Sequence, residues 1–312
     1  MKRWLGIGLS LILLASLLLY VGPQIERAIV VDMLAATSLW AVVAAILLLW
    51  LNFAISTERY RLILGNMPVR SPGFVSLYCL TFMSLLLSHF VAIGPAADVV
   101  RVGYGRLKLA LPMVTVIESV VYDRVLALAG LSILGLILLP LQIVRGVPEV
   151  LWLSQLAVWL VSLGGILFVT WGARATSIQR IPFLAGVIKS VAGFLPAVSG
   201  RGSVPLQLLL AVGYGGTYGL AIWVLARGMG LSPDVLDVLQ FSPFILLVQS
   251  MPVFYVGWGA RETVMVGLLG MAGVLSSEQA LFVSVATGVV FFLAALPGAV
   301  VWLRQPDNPK PT

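Results

Sequence analysis

Ile93-Gly94-Pro95-Ala96-Ala97-Asp98-Val99-Val100-Arg101 interrupts an apolar stretch with a glycine and a proline, then sets an acid and an arginine three residues apart. A second interruption, Val256-Gly257-Trp258-Gly259-Ala260-Arg261-Glu262, has the same character near the other end of the chain. An ionised side chain at the centre of a bilayer costs about 2.5–3.5 kcal/mol on insertion scales, so it marks a pathway or a site. Irregular backbone survives at membrane depth only inside protein or beside a water-filled cavity. One such break in each half is the pattern of a transporter built from repeats.

The rest of the chain supplies the membrane setting. Of 312 residues, 60% are hydrophobic and 10% are charged. An ordinary soluble domain has about 25% charged residues. Residues 1–304 read as one transmembrane domain, and 305–312, with three prolines, as a disordered cytoplasmic tail. Lys2-Arg3 followed by Leu5–Val21 reads as an uncleaved first span, because no small-x-small cleavage site follows it.

Cys79 and His89 are the only cysteine and the only histidine. An intrachain disulfide and a cysteine metal cluster are thereby excluded, and no metal or other cofactor is expected. The net charge of +7 sits beside apolar spans. It reads as a topology signal and as contact with anionic lipid, not as a nucleic-acid surface.

Six spanning helices are expected at about 5–22, 35–55, 112–140, 150–171, 204–226 and 279–303. The two interrupted regions, about 73–109 and 235–274, are expected to be re-entrant hairpins that enter from opposite faces, an inverted repeat. Within the second, Pro243 and Pro252 are expected to break the first limb. Basic residues decide the orientation. With these hairpins, Lys2, Arg3, Arg59, Arg61, Arg70, Arg101, Arg106, Lys108, Arg174, Arg180, Lys189, Arg201, Arg304 and Lys310 fall on one side, and Arg27, Arg145 and Arg227 on the other. Fourteen against three places both termini in the cytoplasm of a cell, or inner, membrane. Thr57–Asn66 and Ile181–Leu195 read as short amphipathic or interfacial segments, and Trp4, Trp40, Trp152, Trp171 and Trp302 as interface anchors.

The polar residues inside these spans are the candidates for a substrate site. Asp98 and Arg101 share a helix face and are read either as a lipid-headgroup contact or as a salt bridge that closes the hairpin. Glu118, Asp123 and Arg124 lie in one span, with Arg124 about 18–20 Å along it, near the bilayer centre. An arginine at that depth needs an anionic partner, either a lipid phosphate or a permanent acid on a hairpin. Gly257 and Gly259 allow a tight turn, after which Arg261 and Glu262 start a helix whose free N–H groups suit an anion. His89 reads as a structural hydrogen-bonding residue. The two breaks are expected to meet at the midplane around one polar cavity. Arg261 and Glu262 would line it opposite Arg124, with Asp98 and Arg101 toward the cytoplasm. No Gly-x4-Gly-Lys-[Ser/Thr], Gly-x-Ser-x-Gly or His-Glu-x-x-His motif is present.

The order of these elements resembles the membrane domain of the lysylphosphatidylglycerol synthases, a flippase-like family. The resemblance rests on Glu58–Leu64, on Gly94-Pro95 followed by Asp98 and Arg101, on Asp123-Arg124, and on Gly257-x-Gly259-x-Arg261-Glu262, and it covers about residues 35–303. Asp98 stands where the family usually has Glu, and Val256-Gly257-Trp258 where it has Pro-Gly-Gly. The resemblance implies an all-α polytopic fold and the transport half alone, without an aminoacyl-transferase domain.

The function expected is that of a non-enzymatic lipid flippase or scramblase-like transporter. Its substrate would be an anionic or phosphate-bearing lipid, phospho- or polyprenyl-linked. The alternatives are a membrane enzyme acting on a lipid-linked phosphate or sugar, and a structural or regulatory subunit. Membrane lipids are the expected partners. A homodimer is left open, and no nucleic acid is expected.

Overall fold

The computed structural model describes residues 32–33, 35–89, 96–107, 111–172, 194–200, 204–250 and 259–303. The expected first span, the 305–312 tail, most of the Ile181–Leu195 segment and Pro252 lie outside the described residues.

The fold is all-α and polytopic. Five helices are long and apolar enough to cross a membrane. These are α1 (Leu39–Gly65), α4 (Met113–Val144), α5 (Glu149–Gly172), α7 (Val204–Gly228) and α11 (Ser277–Ala295), which α12 (Pro297–Leu303) extends. Short helices fill the interrupted regions. They are α2 (Phe74–Ser88), α3 (Ala96–Leu107), α8 (Val235–Leu239), α9 (Ser242–Ser250) and α10 (Ala260–Met265), the last running into a π turn at Val266–Gly270. A further short helix, α6, covers Phe194–Ser199.

Local sequence sets the boundaries. Pro112 stands immediately before α4, so its missing N–H falls where helices have no partner anyway. Gly146 and Gly230 have φ of +69° and +79° and end α4 and α7 in the left-handed conformation that glycine adopts at little cost. Asp234 caps α8 by accepting from Leu236 N at 2.8 Å. Ser276 and Gln279 form a capping box on α11. The first limb is interrupted at Gln240-Phe241, between α8 and α9, and Pro243 stands in the first turn of α9, where its missing N–H is tolerated.

At the core α1 and α7 lie antiparallel. Ser38 N donates to Gly228 O at 2.8 Å at one end, and Asn52 Nδ2 donates to Tyr214 O at 2.6 Å midway. At the other end Asn66 Nδ2 donates to Ala197 O of α6 at 2.8 Å. Helices in lipid gain nothing from hydrophobic burial against one another, so small residues that allow close approach carry the packing. A Cβ on Gly130 of α4 would overlap Ala211 of α7, with the Ala211 Cα only 3.0 Å away. Gly130→Leu is therefore expected to cost about 1–3 kcal/mol through overpacking. A lowered thermal unfolding midpoint of the detergent-purified protein checks this.

The outer surface is apolar. Trp40 and Trp302 are 81% and 58% exposed, with Leu47, Val161 and Phe168 on the same kind of surface. Such a surface is too large for a soluble monomer and suits hydrocarbon.

Thr57–Asn66 is not a separate interfacial segment, because α1 continues unbroken to Gly65. Glu58 and Arg61 do form a surface pair, Arg61 Nε to Glu58 Oε2 at 2.7 Å, but Arg59 points inward and is 2% exposed. Arg101 is also buried. Neither is a surface charge, which leaves twelve basic residues against three in the count from the sequence.

Candidate anion site in the membrane domain

A cavity of about 290 Å³ lies among α1, α2, α3, α4, α7, α9 and α11. Its charged lining is Arg59 of α1, Asp98 and Arg101 of α3, and Asp123 and Arg124 of α4. Ser56, Thr81, Tyr214 and Ser250 add polar atoms, while Phe53, Leu85, Leu131 and Phe291 make apolar walls.

Asp123 is the electrostatic centre. It is 4% exposed, and it accepts from Arg59 Nε at 2.7 Å on one oxygen and from Arg101 Nη1 at 3.2 Å on the other. The neighbouring Arg124 turns to a different partner and donates from Nε to Asp98 Oδ2 at 2.9 Å. Helix α3 therefore docks on α4 through two crossed ion pairs. Asp98 and Arg101 share a face, as their spacing requires, but each bonds across to α4 and not to the other. Arg124 has an acidic partner, Asp98 of α3.

Two rings support the guanidinium groups. Arg59 Cζ lies 5.6 Å from the Tyr214 ring centroid, and Arg101 Cζ lies 5.4 Å from that of Tyr60. The cavity has a closed end and an open end. Side-chain exposure is 2% at Arg59 and 9% at Arg101, against 46% at Arg124.

Three guanidinium groups and two carboxylates leave this lining with one excess positive charge. Arg59 Nη1 is buried without a hydrogen-bond partner. A buried unpaired donor on a charged group is costly, and an anion that accepts from it removes the cost. The arrangement suits a phosphate, whose oxygens match the guanidinium fork.

Arg261 and Glu262 form a second cluster. Glu262 Oε2 accepts from Gly259 N at 2.6 Å, and Glu262 Oε1 pairs with Arg261. Arg261 Nε donates to Ser284 Oγ at 3.2 Å, and the guanidinium is in hydrogen-bonding reach of Tyr218. Gly259 has φ of +82°, and a Cβ on Gly288 would collide with the Arg261 guanidinium. This buried pair is thus bonded both within itself and to its surroundings at the start of α10.

The two clusters are neighbours with different linings. Tyr214, on the cavity, and Tyr218, beside Arg261, are one turn apart on α7, about 6 Å. Neither Arg261 nor Glu262 is among the described residues lining the cavity around Arg124. The structure thus brings together Asp98, Arg101, Asp123 and Arg124 and sets Gly259, Arg261 and Glu262 beside them. Glu118 is half-buried on α4, outside that lining and near Tyr122. Gly257 lies outside the described residues. His89 is held structurally, its Nδ1 at 2.8 Å from Leu85 O.

Arg59 is the residue the sequence reading passed over. A signal was available, because Asn52, Ser56 and Arg59 recur at intervals of four and three in an apolar helix and so share one face. Tyr214 carried no such signal.

The family model described as "Lysylphosphatidylglycerol synthase TM region" matches residues 3–298. No curated protein matches the sequence.

Proposed function

Because the chain belongs to the family of the lysylphosphatidylglycerol synthase transmembrane region, we propose that it moves a phosphate-bearing lipid between membrane leaflets. Arg59, Arg101 and Arg124 would hold the phosphate, and the lipid tails would stay in hydrocarbon. The unpartnered Arg59 Nη1, buried in a cavity with excess positive charge, carries this reading.

The helix layout supports a transport path. At about 1.5 Å per residue, α2 and α3 are about 22 and 18 Å long, short of the roughly 30 Å hydrocarbon core. Leu77 near the start of α2 and Leu111 after α3 pack in one cluster with Tyr60 and Leu64 at the end of α1. A chain that enters and leaves at the same end favours a re-entrant hairpin. Helix α8 begins at the opposite end of α4, where Arg145 bonds to Asp234 and Asp237 at 3.1 and 2.5 Å. These opposed entries are what an inverted repeat requires.

Translocation of a fluorescent phospholipid in proteoliposomes tests the proposal. Arg124→Ala should slow it by at least about tenfold, and Arg124→Lys should recover only part, because an ammonium lacks the planar fork. Normal translocation by purified Arg124→Ala protein would refute a phosphate contact at this residue.

Orientation has its own test, on a background with Cys79 replaced. Gly73→Cys, at an exposed site where a Cβ meets nothing, should resist an impermeant maleimide added to intact cells. Glu149→Cys, exposed at the far end of α4 and α5, should react. The reverse labelling pattern would invert the topology.

A further inference from the structure

The cavity contains two buried polar atoms without a partner, and they differ in hydrogen-bond character. Arg59 Nη1 is a donor, and Asp98 Oδ1 is an acceptor. A phosphodiester offers only acceptor oxygens. It satisfies the arginine and leaves the carboxylate oxygen unpaired.

The geometry at Asp98 explains how that oxygen comes to be spare. A guanidinium usually meets a carboxylate fork to fork, with one N–H on each oxygen. Here Arg124 Nε and Nη2 converge on the same atom, Asp98 Oδ2, at 2.9 and 2.8 Å. Oδ1 is left free while the side chain stays 15% exposed. A buried carboxylate oxygen without a donor is a costly state unless something supplies one. Asp98 lies at the Arg124 end, the open side, away from the closed end at Arg59.

We propose that the transported lipid carries a hydroxyl or ammonium donor on its phosphodiester headgroup, and that Asp98 is the residue that selects for it. The inference rests on the transport reading above. It narrows the substrate from phosphate-bearing lipids in general to phosphodiesters with a donor-bearing headgroup.

Wild-type protein in phosphatidylcholine vesicles tests this with three trace lipids of identical acyl chains. Phosphatidylglycerol presents hydroxyls, phosphatidylethanolamine an ammonium, and phosphatidylmethanol the phosphodiester with no donor. At least one donor-bearing lipid should cross about tenfold or more faster than phosphatidylmethanol, a difference equivalent to about 1.4 kcal/mol. Which of the two leads identifies the donor as hydroxyl or ammonium.

Asp98→Asn supplies the second arm. Its carbonyl keeps an acceptor for Arg124, and its amide nitrogen replaces Oδ1 with a group that cannot accept. The ratio of the leading lipid's rate to the phosphatidylmethanol rate should then fall to about one, whatever the substitution does to the absolute rates through Arg124. Equal rates for all three lipids in wild type would overturn the selectivity and leave the transport reading standing. An equal slowing of every lipid by Asp98→Asn would reduce Asp98 to a structural pairing and also overturn it. Failure of the wild type to move any of the three would overturn both proposals.

Discussion

Arg59→Ala is expected to lower lipid translocation in proteoliposomes by about a hundredfold, equivalent to about 2.7 kcal/mol of lost interaction. Hydrogen bonds to charged groups contribute about 1.5–3 kcal/mol, more in a site closed to water. Arg59 is the most enclosed of the three cavity arginines, and it alone among them has a buried nitrogen without a partner. Folding should survive the change, because Asp123 keeps its bond to Arg101. Arg59→Lys should hold the charge and still translocate slowly, since one ammonium cannot serve Asp123 and a phosphate in the arginine geometry. Parallel translocation rates and thermal unfolding midpoints separate the two effects. Wild-type transport by Arg59→Ala would remove this residue from the site.

Asp123→Ala acts on the fold. It strands two buried guanidinium groups, Arg59 and Arg101, without their carboxylate. Breaking a buried ion pair by removing one partner costs about 3–5 kcal/mol. The purified protein should unfold at markedly lower temperature, or fail to accumulate in the membrane. Adding Arg59→Met to Asp123→Leu removes one stranded charge and should restore part of the stability, because an apolar pair of similar size can replace a buried ion pair. Transport should not return with it. Recovery of both would mean that the cavity charges serve packing alone.

The large features of this fold were legible because the bilayer imposes them. Long apolar runs give spanning helices at any sequence detail, and α4, α5, α7 and α11 with its extension α12 start and end within a few residues of the hydropathy boundaries. The breaks marked where helices begin again: α3 starts at Ala96, directly after Pro95 in the sequence, and α10 at Ala260, directly after Gly259 with its φ of +82°.

Pairing was harder to read. Asp123 and Arg124 are adjacent, yet they serve opposite roles, because consecutive helical residues point about 100° apart. Their partners come from α1 and α3, and nothing local to the sequence states which. Arg59 was obscured by its neighbours. Glu58 and Arg61 make the segment look like a solvated end, and the inward face becomes visible only with Asn52 and Ser56 in register. Nor does the sequence state how near Arg124 and Arg261 lie: Tyr214 and Tyr218 set the two clusters at successive turns of α7, and neither Arg261 nor Glu262 is among the described residues that line the cavity around Arg124.

Contact between the Arg59 guanidinium and a lipid phosphate is the central claim, and ¹⁵N–³¹P dipolar recoupling by solid-state NMR reads it directly. The protein would carry ¹⁵N-arginine in bilayers containing phosphatidylglycerol. Wild type should show a guanidinium–phosphorus coupling of hydrogen-bonded range, and Arg59→Gln should weaken it, keeping what Arg101, Arg124 and surface arginines contribute. An identical coupling in wild type and Arg59→Gln would contradict the account.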